Sequence, residues 1–248
     1  MCSSDLGLMP VDILLTVIAT SVIQSIFGVG VLLFGTPLLL LLGYDFLDAL
    51  ITLLPISIAI NSFQILKHYS HIDIGFYKNV LIYTIPFVVL FLFIVTAAKI
   101  NIGLLVGLFL IFVALKSYSE KVEKMMVSLV GYEKTYLAVM GIVHGLTNLG
   151  GSLLTAIVHG KQYQKDMTRV TVAVCYATFA VFQIVTLFFL VDSYELSYSN
   201  NMAFLHVGVI MFLLTEEVVY QKIDNDKYSK IFAAFLFASG LVLAIKSF

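Results

Sequence analysis

VDILLTVIATSVIQSIFGVGVLLFGTPLLLLLG, residues Val11–Gly43, is a 33-residue stretch with almost no charge. As one helix it would run about 50 Å, against a hydrocarbon core of about 30 Å. It is interrupted at Phe27-Gly28-Val29-Gly30 and again at Gly35-Thr36-Pro37. Glycine weakens a helix interior and exposes its backbone. The stretch therefore reads as two half-helices joined by an irregular break. Non-helical backbone at membrane depth is tolerated only inside protein or along a wet cavity.

The rest of the chain supports a membrane setting. Of its 248 residues, 60% are hydrophobic and 12% charged, with a mean hydropathy of +1.03. A soluble domain carries about 25% charged residues, so a cytosolic enzyme, a nucleic-acid binder and a disordered chain are all poorly matched. The net charge of −1 names no partner. Cys2 and Cys175 form no CxxC pair. Met1–Asp12 carries Asp5 and Asp12 and no basic residue, so no secretory leader is expected.

Further apolar runs follow at Ala49–Leu66, Val80–Ala98, Ile102–Leu115, Tyr136–Gly160, Val170–Val191, Met202–Tyr220 and Ile231–Ile245. All are expected to be helices, because backbone polar groups in lipid must be satisfied within the segment. Tyr136–Gly160 has a second break, Thr147-Asn148-Leu149-Gly150-Gly151-Ser152. Pro37 and Pro55 are expected to end or kink helices.

Loop charges decide how the broken runs are threaded. If all eight runs cross, the 14 Lys and Arg divide evenly between the two sides, against the positive-inside rule. If both broken runs return to the side they entered, almost all fall on one side. The basic loops 67–78, 116–134, 160–169 and 221–230 are then cytoplasmic, and both termini lie outside. The charges require this of Tyr136–Gly160. For Val11–Gly43, whose flanking loops lack Lys and Arg, re-entry rests on length and on an internal repeat. With no Trp in the chain, tyrosines at span ends, Tyr44, Tyr136 and Tyr163 among them, are expected to form the interfacial belt.

An offset of 120 lays Gln24–Gly30 on His144–Gly150. An offset of 119 lays Phe63-Gln64-Ile65 on Phe182-Gln183-Ile184. The expected fold is an all-α polytopic membrane protein made of two inverted-topology repeats. Each repeat is a re-entrant broken-helix hairpin plus three transmembrane helices. Residues 1–116 form the first repeat, 117–134 a cytoplasmic linker and 135–248 the second. Secondary transporters use this plan, with the substrate near the midplane where discontinuous helices meet. Half-helix N-termini favour anions.

The pattern Gly28-Val29-Gly30, Pro37, the Leu run to Gly43, Ala49 and Thr52, with Gly150-Gly151-Ser152 in the second half, resembles the sulfite exporter TauE/SafE family of membrane permeases. The second copy lacks the proline, with Ile157 at the aligned place. The resemblance implies export or uptake of small sulfur-containing anions, such as sulfite or organosulfonates, across a prokaryotic cytoplasmic membrane.

The candidate substrate-binding set is Gly28, Gly30, Gly150 and Gly151 as backbone, with Gln24, Asn61, Gln64, His144, Asn148, Ser152, Tyr176 and Gln183 as side chains. Ser57, Asn61 and Gln64 share one helix face. For the glycines the alternative is close packing, which is preferred for the Gly141/Gly145 pair. For Gln64 and Gln183 the alternative is interhelical hydrogen bonding. His144 is the candidate proton carrier, with a neutral, hydrogen-bonded ring as the alternative. Coupling to H⁺ or Na⁺ and the oligomeric state are open. Lys161, Lys165 and Arg169 could gather anions at the inner mouth by attraction, with a role as topology determinants the preferred alternative, and Glu216 and Glu217 read as a solvated interface. No Walker loop, zinc cluster or nucleophile motif is present, so no metal or cofactor is expected. The rival readings are an intramembrane enzyme acting on a lipid or isoprenoid, and an anion channel.

Overall fold

The computed structural model describes residues 10–98, 102–116, 131–190, 198–219, 237 and 241–245. Most of the linker, the loop 221–230, most of the last apolar run and both termini lie outside the described residues. The first run forms α1 (Val11–Phe27) and α2 (Val31–Leu42), followed by α3 (Phe46–His68) and a short 3₁₀ turn, Tyr69–His71. Then come α4 (Ile74–Tyr83), α5 (Ile85–Ala98) and α6 (Ile102–Lys116). The second half has α7 (Glu133–Thr147), α8 (Gly151–Gly160), α9 (Lys165–Leu190) and α10 (Tyr198–Val219). No strand occurs among the described residues. Among the described residues, three helical segments are long and apolar enough to cross a membrane: Phe46–His71, Ile74–Ala98 and Lys165–Leu190.

Both runs break where glycine and asparagine interrupt them. Gly28 closes α1 with φ 74° and its N–H on Gln24 O at 2.8 Å. Asn148 closes α7 with φ 61° and its N–H on His144 O at 2.8 Å. The same left-handed cap thus recurs at positions 120 residues apart. Glycine adopts this conformation freely, and asparagine tolerates it. Pro37 and Pro55 end nothing: each lies inside a continuous helix, α2 and α3 respectively. The second interruption expected at Gly35-Thr36-Pro37 is likewise absorbed into α2. Gly35 is packed there: an added Cβ would sit 2.8 Å from a Leu53 methyl.

The ends of each broken run lie together. Tyr44, just after α2, donates its hydroxyl to Asp12 in the first turn of α1, at 2.9 and 2.8 Å from the two carboxylate oxygens. Lys161, just after α8, donates to Glu133 Oε2 at the start of α7, at 2.8 Å. The first arms have 17 and 15 residues, about 25 and 22 Å.

The helices pack crosswise between halves. α3 lies against α9, α1 against α10, and α7 against α5. The α7–α5 seam depends on Gly141 and Gly145. An added Cβ would stand 2.5 Å from Thr84 O at the first and 2.7 Å from Val88 O at the second. Here the packing reading of the glycine pair is the right one.

Polarity is inverted relative to a soluble protein. Leu15, Leu66, Phe188 and Phe189 are exposed, while Ser21, Gln24, Asn61, Gln64, His144, Asn148 and Gln183 are buried. An apolar exterior around a polar seam is what lipid as solvent selects. Tyr136 departs from the belt. It is buried, and its hydroxyl donates to Leu153 O at 2.7 Å, tying α7 to α8.

Candidate functional site

The face carrying Ser57, Asn61 and Gln64 on α3 turns toward the first break. Gln24 Nε2 donates to Asn61 Oδ1 at 3.1 Å, and Gln24 Oε1 accepts from the Val31 N–H at 2.9 Å. One side chain thus links the last turn of α1, the first amide of α2 and a crossing helix. Asn61 Nδ2 donates to Ser57 O at 2.8 Å and to its Oγ at 3.0 Å. With its amide turned so that nitrogen faces Asn61, Gln64 donates to Asn61 Oδ1 at 3.1 Å. Its oxygen then accepts from Arg169 Nε and Nη2, each at 3.1 Å. Gly30 lets the chain double back: an added Cβ would lie 2.5 Å from Gln24 N.

Arg169 is not a solvated loop residue. It sits on α9 with 6% exposure, and Nη2 also lies 3.3 Å from Ser25 O and 3.0 Å from Glu216 Oε1. Glu216, on α10, is 8% exposed, so it is not a solvated interface residue either. A buried arginine requires compensating partners, and α10 brings them: Glu216, with Thr215 donating to Ser25 Oγ at 2.8 Å. In the sequence, Arg169 follows a basic loop and Glu216 lies about one turn from Lys222, so neither announces a buried partner. The available signal was an acid inside the apolar run Met202–Tyr220, which needs a cation from another helix.

The second break is built differently. His144 Nε2 lies 3.1 Å from Gln183 Oε1, joining α7 to α9 as the Gln24–Asn61 bond joins α1 to α3. With that oxygen as acceptor, Nε2 carries the proton, and His144 Nδ1 and Gln183 Nε2 are left without hydrogen-bond partners. The Tyr176 hydroxyl has none either. It occupies the space that a side chain at Gly151 would need, 0.9 Å from an added Cβ. Gly150 lies against His144, whose Cβ would be 2.5 Å from an added Cβ. Asn148 Nδ2 donates to Thr36 Oγ1 on α2 at 2.9 Å, while Asn148 Oδ1 is unpartnered. Ser152 stands apart, its hydroxyl donating to Leu149 O at 3.0 Å.

The chain belongs to the sulfite exporter TauE/SafE family. The family's model matches residues 13–243, which span both breaks and every site residue named above. No curated protein and no solved structure matches the chain. In this TauE/SafE chain the candidate residues form two clusters. Gln24, Gly28, Gly30, Asn61 and Gln64 surround the first break. His144, Asn148, Gly150, Gly151, Tyr176 and Gln183 surround the second. Among the described residues no cluster of His, Cys, Asp and Glu is suited to a metal.

Proposed function

We propose that this chain is a secondary permease for a small, sulfur-containing anion such as sulfite or an organosulfonate. Its family is one of membrane transporters, and the chain is a multi-pass helical protein. Both broken runs are re-entrant hairpins entering from opposite faces of a prokaryotic cytoplasmic membrane, in two inverted halves, 1–116 and 135–248. The meeting of Asp12 with Tyr44, and of Glu133 with Lys161, supports that threading. The basic loops face the cytoplasm and the termini the outside.

One observation carries the reading. At the second break, Tyr176 and Gln183 hold buried donors that no protein atom accepts, beside a glycine pair where the helix restarts. Buried donors are costly unless satisfied, and an oxyanion supplies acceptors. At the first break the corresponding amides are already paired. The anion therefore passes along the second hairpin, and movement of one half against the other exposes it alternately to either side. The absence of a titratable acid at this second cluster disfavours an intramembrane enzyme as the rival.

Purified protein in liposomes tests the reading with sulfite, thiosulfate, methanesulfonate and acetate. Saturable flux of a sulfur oxyanion, accelerated by counter-substrate, is expected. Non-saturating flux would identify a channel. No anion flux together with turnover of a lipid would overturn the reading in favour of an enzyme.

A further inference from the structure

Among the described residues, Arg169 is the one buried Lys or Arg side chain and Glu216 the one buried Asp or Glu. They meet at the first break, not at the second. Gly28, the left-handed cap of α1, lies directly over the arginine stem: an added Cβ would be 3.4 Å from Arg169 Cγ. The guanidinium is held on one edge by Gln64 and touches the last turn of α1 through Ser25 O. The Glu216 contact differs in kind. Its Oε1 is 3.0 Å from Nη2 but lacks the alignment of a directed hydrogen bond. Lys67, half exposed at the end of α3, stands 3.9 Å from the same carboxylate oxygen. A line of positive charge thus runs from the basic surface to the buried guanidinium, with a single carboxylate between.

We propose that Arg169 is the entry station for the anion, and that Glu216 is an internal counter-anion that holds the site until the guest displaces it. This deepens the permease reading and rests on it for the identity of the guest. A planar guanidinium matches an oxyanion in two-point geometry, and a multiply charged oxyanion offers more than one carboxylate does. Lys67 is placed to receive Glu216 when it swings away. Gln64 stays on Arg169 and passes the change along a continuous chain: Gln64 to Asn61, Asn61 to Gln24, Gln24 to the Val31 amide at the start of α2. Occupancy of Arg169 is in this way felt by the hinge of the first hairpin.

A purely structural ion pair would account for the same contacts, and the two readings separate in the double variant. Sulfite binding to purified protein is measured by calorimetry and sulfite flux in liposomes, for wild type, Glu216→Gln, Arg169→Gln, Arg169→Lys and Arg169→Gln/Glu216→Gln. Removing the counter-anion in Glu216→Gln is expected to tighten sulfite binding several-fold and to slow maximal flux, because release becomes harder. The double variant buries no unpaired charge, so it is expected to fold. It is expected to bind sulfite about tenfold or more weakly, the loss of one charge-assisted contact, with a matching rise in the half-saturating concentration. Arg169→Lys is expected to fall between.

A double variant that binds and carries sulfite like wild type, with only the two single variants impaired, would make the pair structural and overturn the proposal while leaving the permease reading intact. Wild-type protein that binds sulfite through Arg169 but carries none would leave the proposal standing and remove the transport reading. Wild-type protein that binds no sulfite would overturn the proposal.

Discussion

Asn148 Nδ2 donates to Thr36 Oγ1 at 2.9 Å, joining two fully buried residues 112 positions apart. The bond ties the break of the second run to the first turns of α2, so the two broken runs are joined there. Asn148 also holds a left-handed backbone, which asparagine tolerates better than alanine does. Asn148→Ala therefore loses the bond and adds backbone strain, and about 2 kcal/mol of destabilisation is expected. Asn148→Gly loses the bond without the strain. Thermal unfolding in detergent should rank wild type above Asn148→Gly, and Asn148→Gly above Asn148→Ala. Equal midpoints for the two variants would remove the left-handed cap from the account.

Gly151 and Tyr176 share one space. An added Cβ would lie 0.9 Å from the tyrosine oxygen and 2.0 Å from Cζ, so the ring must leave its place. Gly151→Ala is expected to unfold at lower temperature and to lose transport. Tyr176→Val makes room, and in the double variant stability should recover relative to Gly151→Ala alone, a coupling of about 1 kcal/mol or more. Transport should not recover, because the hydroxyl donor is gone. A double variant with full flux would exclude Tyr176 as a substrate contact.

The two breaks were legible because glycine and asparagine in an apolar run have a direct backbone meaning, and because Gln24 and His144 fall at equal offsets. The face of Ser57, Asn61 and Gln64 was legible from helical spacing alone. Pro37 and Pro55, read as an end or a kink, end no helix, since a buried helix with packed neighbours continues through a missing N–H. Arg169 and Glu216 were hidden for another reason. Each lies near a helix end, where charges are ordinarily solvated, and only the packing of α10 against α1 and α3 seals them from water. Tyr136 was misread in the same way, as a belt residue, because α8 folds back over it.

Glu133 and Lys161 meet at 2.8 Å, which brings the two ends of the α7–α8 run together and supports the proposed re-entrant threading. Cysteines substituted at Tyr132 and Gln162, exposed or partly exposed positions beside those ends, should then react with an impermeant thiol reagent from the same side. In whole cells both should be protected, and in inside-out vesicles both labelled. Opposite labelling would make Tyr136–Gly160 a crossing and dismantle the inverted arrangement. The pair itself is only partly buried and contributes about 1 kcal/mol at most, so Lys161→Ala is expected to leave the threading unchanged.

Asp73 anchors the other side of that junction. It caps α4 by accepting from the Phe76 N–H at 2.9 Å, and it accepts a hydrogen bond from the Tyr163 hydroxyl. Partial burial alone would raise its carboxyl, but the Tyr163 bond, the Phe76 and Gly75 amides and the charge of Lys161 together hold it below the ordinary 3.8. Glu133 behaves alike. Burial opposes it, yet the bonds from Lys161 and Asn79 hold it below the ordinary 4.5. In both cases the folded carboxyl binds its proton less readily than the unfolded one. Their contribution is therefore complete above the ordinary values and is lost as pH falls through the lowered ones. The thermal midpoint should be flat from about pH 7 to about pH 5 on this account and fall on further acidification. Asp73→Asn is expected to lower the midpoint at neutral pH and to flatten the acid limb, since one of the two titrating groups is gone. An acid limb as steep as that of wild type would show that the stability of this junction does not depend on the Asp73 charge.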